Sequence, residues 1–254
     1  MSVERPALRS QLQVSVTTSD LMTAMLYATL AGAFIPLGGL LARIERIRPL
    51  WLERELRHGV IAFGGGSLMA AVALVLVPEG QRYLSAWSAL AAFGAGGIAF
   101  FLIDRMIERR GGGIAQLMAM LLDFVPESLA LGAMLAAEWQ AGLLLAGLIA
   151  LQNLPEGFNA YLELRARDAL TSGQILAGFC AIVLLGPLAA WFGFSYLRET
   201  SGALGAMMLF AAGGILYLTF EDIAPQAHLA RRWAPALGAV AGFMLGLLGQ
   251  MLLR

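Results

Sequence analysis

The chain has 254 residues, of which 59% are hydrophobic and 13% charged, and its mean hydropathy is +0.75. These values are typical of an integral membrane protein and exclude an ordinary soluble globular domain. All 17 basic residues are arginine and they balance 17 acidic residues, so no excess of positive charge indicates binding to nucleic acid. The single cysteine, Cys180, excludes an intrachain disulfide and a cysteine metal cluster.

Apolar segments long enough to cross a bilayer follow one another along the chain. Counting them predicts eight spans, near 20–42, 58–79, 86–104, 114–137, 140–162, 173–195, 201–222 and 234–253. We expect residues 1–19 to form a flexible N-terminal tail and residues 20–254 to form a single eight-helix transmembrane domain. The predicted fold class is an all-α integral membrane protein whose eight helices form one bundle, with the lipid bilayer as its surroundings.

The distribution of arginine predicts the orientation of the chain. Most arginines lie in the loops that follow the first, third, fifth and seventh spans, and short loops rich in positive charge stay in the cytoplasm. The other side, with both termini, holds Arg5, Arg9, Arg82, Arg198 and Arg254. We therefore expect both termini on the non-cytoplasmic side, and we expect the membrane to be a bacterial inner (plasma) membrane.

Two predicted spans carry charged and amide side chains near their centres. The fourth contains "LLDFVPES", with Asp123 and Glu127 four residues apart, and the fifth contains "LQNLPEG", with Gln152 and Glu156 at the same spacing. Residues four apart share one face of a helix. A carboxylate at the bilayer centre costs roughly 2.5–3.5 kcal/mol and usually marks a site or a pathway. The pattern therefore predicts a polar site between the fourth and fifth helices.

A proline lies inside each of these two segments. Pro126 and Pro155 have no N–H group, so they leave the carbonyl groups of Leu122 and Leu151 without their helical partners. We expect proline kinks there, and free carbonyl groups beside carboxylates favour a cation site at mid-depth. The alternative is a polar seam in which the acids are protonated or hydrogen-bonded and merely hold the helices together.

These motifs resemble those of the ZIP family (Zrt-, Irt-like proteins) of divalent metal transporters. "DFVPES" and "QNLPEG" stand where that family has His-Asn-x-Pro-Glu-Gly motifs in its fourth and fifth helices. "FGGGSLMAAVALVLVPEG" is similar to its second helix and "AAGGILYLTFEDIAPQAHL" to its seventh. The resemblance implies a ZIP-like architecture, a homodimer, and helices four and five kinked by proline and carrying the site. The metal ligands that it implies are Asp123, Glu127, Gln152 and Glu156, with Asn153 close by.

The chain departs from the family at two positions that bear on the number of metal ions. Phe124 replaces an asparagine, and Gly186 precedes Pro187 where many relatives have glutamate. We therefore expect one metal per site. The all-oxygen ligand set favours manganese, ferrous iron or magnesium, whereas the resemblance favours zinc. The transported substrate stays open among zinc, manganese, iron and cadmium, and no organic cofactor is expected.

The function that these observations predict is transport of a divalent metal cation towards the cytoplasm, without enzymatic activity. Asp222 and Gln226, with Glu221 and His228, form a candidate exit for the metal, and Glu79 is either an entrance group or a solvated helix end. One alternative is a transport-deficient ZIP-like metal sensor or structural subunit. An intramembrane hydrolase is less favoured, because both histidines lie far in sequence from the central acids.

Overall fold

A computed structural model describes residues 18–44, 50–108, 112–166, 170–197, 200–228 and 234–253, and all regular structure in these ranges is helical. Eight of the described helices are long and apolar enough to cross a membrane, which confirms the predicted all-α class and the number of spans. In chain order they are α1 (Thr18–Ile44), α2 (Leu50–Ala71, then Val72–Leu76 and Val77–Gln81), α3 (Ala86–Glu108), α4 (Gly112–Ala137), α5 (Trp139–Ala166), α6 (Ser172–Phe192, then Gly193–Leu197), α7 (Ser201–Leu218, then Thr219–Ile223 and Ala224–Ala227) and α8 (Ala234–Leu253).

The helices extend beyond the apolar segments at several ends. α2 begins at Leu50, whereas the sequence predicts a start near residue 58. The intervening residues include Arg54, Glu55 and Arg57, which are good helix formers but are charged and so do not belong to an apolar segment. α1 begins at Thr18, inside the predicted tail, and residues 1–17 of that tail lie outside the described residues. We call the end of the bundle at which α1, α3, α5 and α7 finish the inner end, and the opposite end the outer end.

The helices differ in how far they lie inside the bundle. The apolar segments of α2, α4, α5 and α7 are more than half buried, whereas those of α3 and α8 are 11% buried. α3 packs mainly on α7, and α8 packs mainly on α2. The four more buried helices therefore form the interior, and α3 and α8 present most of their surface to the surroundings.

The contacts between helices follow a repeated pattern. α1 packs on α5 as α6 packs on α4, and α2 packs on α8 as α7 packs on α3. The α2–α5 contact likewise has its counterpart in the α7–α4 contact. The pattern of contacts thus stays the same when α1, α2 and α3 are exchanged with α6, α7 and α8, and α4 is exchanged with α5. Because consecutive spans alternate in direction, such a pattern is that of an inverted repeat.

The exchanged helices α2 and α7 share a local feature. Each contains a π-helical turn, Val72–Leu76 and Thr219–Ile223, and a proline follows two residues later as Pro78 and Pro225. A proline cannot donate to the carbonyl group four residues earlier, which loosens the helical hydrogen bonding there. In α2 the freed carbonyl belongs to Leu74, and the Gln250 amide nitrogen of α8 donates to it at 3.2 Å.

Candidate functional site

α4 and α5 place the predicted site residues in the interior of the bundle. Asp123 is 6% exposed, Glu127 and Asn153 are fully buried, and Gln152 is 1% exposed. Glu156 is half-buried. The structure therefore brings three carboxylates and two amides into the region between these helices. Pro126 and Pro155 lie within the same two helices, and the proline kinks stay a prediction.

One hydrogen bond joins the two helices at this depth. The Gln152 amide nitrogen donates to the Glu127 carboxylate oxygen Oε2. Glu127 Oε1 and Gln152 Oε1 have no hydrogen-bond partner among the described residues. The pair therefore fixes the orientation of both side chains while leaving one acceptor oxygen free on each.

Further buried polar atoms lie beside this pair. Asp123 Oδ1, Asn153 Oδ1 and Ser128 Oγ are also without a partner within the described part of the chain. A buried polar group that makes no hydrogen bond costs about 1–3 kcal/mol. Acceptor oxygens without a donor are groups that a bound cation would satisfy.

Asn153 makes a hydrogen bond to a third helix. Its amide nitrogen donates to the carbonyl oxygen of Ala31 on α1 at 3.0 Å. The side chain thereby ties α5 to α1, which are in extensive contact. Its place close to the metal stays a prediction.

A cavity of about 70 Å³ lies between α2, α4, α5 and α7. Asp123, Gln152 and Glu156 line its deeper part, and Asn159, Asp222 and Gln226 line the part nearer the inner end. Glu127 is not among its lining residues and reaches the cavity through Gln152. Three of the predicted central residues and two of the predicted exit residues therefore line one cavity. Glu221 and His228, the other two members of the predicted exit, are exposed and do not line it.

The acidic groups are neighbours without forming a compact ligand set. Asp123 lies within electrostatic range of both Glu127 and Glu156. Among the described residues, however, no three carboxylate, imidazole or thiol side chains group closely enough to hold a metal ion. A cation in this cavity would take its other ligands from amide oxygens or water, which manganese and magnesium accept readily.

Phe124 fills the space where α4 meets α1 and α6. Its ring is fully buried between α1 and α6. A Cβ atom added at Gly32 would lie 2.6 Å from Phe124 Cζ, and one added at Gly186 would lie 2.7 Å from the same atom. The two positions that depart from the family's motifs are therefore one packing unit, because the ring occupies the room that a side chain at residue 186 would need.

A second polar cluster, which we call the inner network, lies at the inner end of the cavity. Asn159 Nδ2 donates to Glu163 Oε1 at 2.8 Å and to Gln226 Oε1 at 2.6 Å. The Gln226 amide nitrogen in turn donates to Asp222 Oδ1. Arg57 donates to Asn159 Oδ1 from Nε at 3.1 Å and from Nη2 at 2.9 Å. The inner network consists of these five residues and connects α2, α5 and α7.

At the outer end, the Glu79 carboxylate already has an ionic partner. Glu79 forms an ion pair with Arg82, with 2.6 Å between Oε2 and Nη1, and is 13% exposed. Burial raises the pKa of the neighbouring Tyr83 hydroxyl, and the charges of Glu138 and Glu79 raise it further. Glu79 is therefore neither fully solvated nor free to collect cations while Arg82 stays bound to it.

Sequence reasoning missed three residues that belong to this region. Asn159 lies three residues after Glu156, on the same helical face, and this spacing was the signal that could have revealed it. Ser128 directly follows Glu127 and has no comparable signal, since an isolated serine in a span is usually hydrogen-bonded to its own helix. Arg57 lies 102 residues from Asn159 in the chain, so their contact is visible in the fold alone.

No protein-family model matches the chain, and no curated protein matches it. The resemblance to the ZIP family therefore stays a prediction that depends on the motifs in α2, α4, α5 and α7.

Proposed function

We propose that the chain is a divalent metal cation transporter that moves its substrate across the membrane towards the cytoplasm. The observation that carries this proposal is the continuous cavity from Asp123, Gln152 and Glu156 to the inner network. Buried acceptor oxygens without donors stand beside it, where a cation would satisfy them. The inverted pattern of helix contacts adds support, because secondary transporters commonly place a midplane site at the interface between such repeats.

The metal belongs to this proposal as a substrate. The side chains facing the cavity offer carboxylate and amide oxygens, which suit manganese or ferrous iron better than zinc. Phe124 fills the room beside Gly186, which supports one cation per site. Membership of the ZIP family, a homodimer and location in a bacterial inner membrane are parts of the same proposal.

Reconstitution into liposomes tests this function. Uptake of manganese, ferrous iron, zinc and cadmium is measured for the wild type, for Asp123→Asn with Glu156→Gln, and for Glu55→Gln. The double variant removes the two acids in the deeper part of the cavity while keeping side-chain shape, whereas Glu55 lies near the start of α2 and does not line the cavity. We expect flux of at least one ion in the wild type and in Glu55→Gln, and its loss in the double variant. Equal flux in all three proteins would contradict the proposed site.

A second candidate function is a metal sensor that binds without transporting. It is favoured by the two positions that depart from the motifs of the resembled family, because the Phe124 ring occupies the room that a ligand side chain at residue 186 would need. Equilibrium binding of manganese to the purified protein, with no flux of any of the four ions, would favour this function over transport.

A further inference from the structure

Arg57 is a cationic side chain on the proposed cation route. It belongs to α2 near the inner end, and its side chain is 36% exposed. Two of its nitrogen atoms donate to the same acceptor, Asn159 Oδ1, and Nη2 lies 3.8 Å from Glu163 Oε1. The guanidinium group is therefore held from two directions by α5.

The acceptor that Arg57 binds belongs to the wall of the cavity. Asn159 lines the cavity together with Asp222 and Gln226, and only 8% of its surface is exposed. Its Oδ1 atom would be available to a passing cation if Arg57 did not occupy it. The same side chain binds Gln226 on α7, so the guanidinium, the amide of Asn159 and the amide of Gln226 form a row across three helices.

The chemistry of this row bears on the passage of a cation. A guanidinium group keeps its positive charge at every accessible pH, so Arg57 places a permanent positive charge beside the inner end of the cavity. Asp222 lies within electrostatic range of Glu163 and Asp104, so the same region also attracts cations. Arg57 neutralises part of this attraction while it stays bound to Asn159.

We propose that Arg57 is a charge gate at the inner end of the cavity, and this inference rests on the proposed cation route. In the structure the guanidinium group is hydrogen-bonded to Asn159 Oδ1, so the row of side chains at the inner end is complete. A cation that leaves towards the inner end displaces the guanidinium from that oxygen. Arg57 is thus a positioning and gating residue of the route and does not itself bind the metal.

Chemical access to the cavity tests the gate without requiring transport. Leu218 lines the cavity and lies one helical turn deeper than Asp222, so a reagent from the inner end must pass the inner network to reach it. Leu218→Cys is made in a Cys180→Ser background, because the native Cys180 side chain is exposed. The rate of reaction with a cationic methanethiosulfonate reagent is compared with the rate for a neutral one of similar size.

Removal of the charge at Arg57 should open the route to the cationic reagent. We expect Arg57→Gln to raise its reaction rate about tenfold at low salt, since a charge at the mouth of a cleft controls the local ion concentration. Glutamine keeps an amide donor for Asn159, and Arg57→Met is made beside it in case one of the two variants does not fold. The neutral reagent should be accelerated less than the cationic one.

Two further variants separate the gate from a general effect of charge or folding. Arg57→Lys keeps the charge and should react at the native rate. Arg54→Gln removes the same charge from an exposed side chain one turn earlier on α2 and should also leave the rate unchanged. An unchanged rate in Arg57→Gln and Arg57→Met, or an equal acceleration in Arg54→Gln or Arg57→Lys, would overturn the gate. A lack of wild-type cation flux would instead contradict the proposed function, because thiol access is measured independently.

Discussion

Asp123 combines near-complete burial with an oxygen atom that no described group satisfies. A buried carboxylate of this kind is expensive to keep inside a bilayer, and a chain under selection for stability alone would replace it with an apolar or amide residue. The cavity that it lines also includes apolar side chains, among them Leu68 and Met120. A buried acid at this cost is what the proposed cation site would require.

Asp123→Asn should separate function from stability. The substitution keeps the shape of the side chain and removes a buried negative charge, so we expect an unchanged or higher melting temperature in detergent. Cation flux in liposomes should fall by about tenfold or more, the range seen when a metal site loses part of its support. Thermal unfolding and flux are measured on the same preparation. A fall in melting temperature that parallels the fall in flux would contradict a binding role for Asp123.

Gln152→His should change which metal is preferred. The imidazole adds a nitrogen donor to a cavity lined by oxygen ligands, and zinc prefers nitrogen ligands more than manganese does. We expect the ratio of zinc to manganese affinity to increase, measured by competition between the two ions for the purified protein. Gln152→Glu is the control, because it keeps an oxygen donor, and its ratio should not move towards zinc. An equal shift in both variants would show that residue 152 does not contact the metal.

At the scale of residues, the sequence predicts which side chains lie in this region better than it predicts which way each side chain points. Asp123, Gln152 and Glu156 line the cavity as expected from their spacing. Asn153, however, binds Ala31 on α1, and Glu127 binds Gln152. Which way each amide or acid turns depends on partners from other helices, and a pattern along one helix carries no information about them.

At the scale of helices, the packing of α4 against α1 and α6 depends on glycines, which have no side chain. Phe124 is fully buried, and its ring atom Cζ lies where methyl groups at Gly32 and Gly186 would come too close. Small residues let membrane helices approach closely, and here they also make room for an aromatic ring. The glycine at residue 186 and the phenylalanine at residue 124 are thus sterically matched.

Gly186→Ala should destabilise the bundle through this contact. The added methyl group overlaps the Phe124 ring, and overpacking of this kind costs about 1–3 kcal/mol. We expect a lower melting temperature, measured in detergent by light scattering or fluorescence. The matched control is Gly147→Ala on α5, where no described atom lies within 4 Å of the added carbon and the melting temperature should not fall.

A compensating change shows whether Phe124 is the cause. Phe124→Leu combined with Gly186→Ala removes the ring that the methyl group meets, so part of the lost stability should return. Equal destabilisation by the single and double variants would place the strain elsewhere in the α4–α6 contact.

The existence of the helices could be predicted from hydropathy, but their internal irregularities could not. All eight spans are present, whereas the π-helical turns of α2 and α7 have no hydropathy signal. Pro78 and Pro225 mark the places where hydrogen bonds must change, yet the resulting geometry depends on neighbours such as Gln250. A proline predicts a break, and the packing around it decides the form that the break takes.

At the scale of the whole molecule, the inverted pattern of contacts gives the cavity its position. α4 and α5 exchange with each other and carry the acids, while α2 and α7 exchange with each other and supply the remaining walls. The cavity nevertheless reaches the inner end and is lined there by the inner network. An inverted repeat can adopt two arrangements that exchange the roles of its halves. If the proposed transport is correct, the exchanged arrangement would extend the cavity towards Glu79 and Arg82 at the outer end.

The direction of transport depends on which side of the membrane the inner end faces. The arginine distribution predicts the cytoplasm. In a Cys180→Ser background, Ser85→Cys and Thr200→Cys lie at exposed turns of the outer end, and Ala166→Cys lies at the exposed inner end of α5. In intact cells, a membrane-impermeant thiol reagent should label the first two variants, and it should label Ala166→Cys after permeabilisation. The reverse pattern would place the inner network outside, so that Arg57 would guard the entrance of the route instead of its exit.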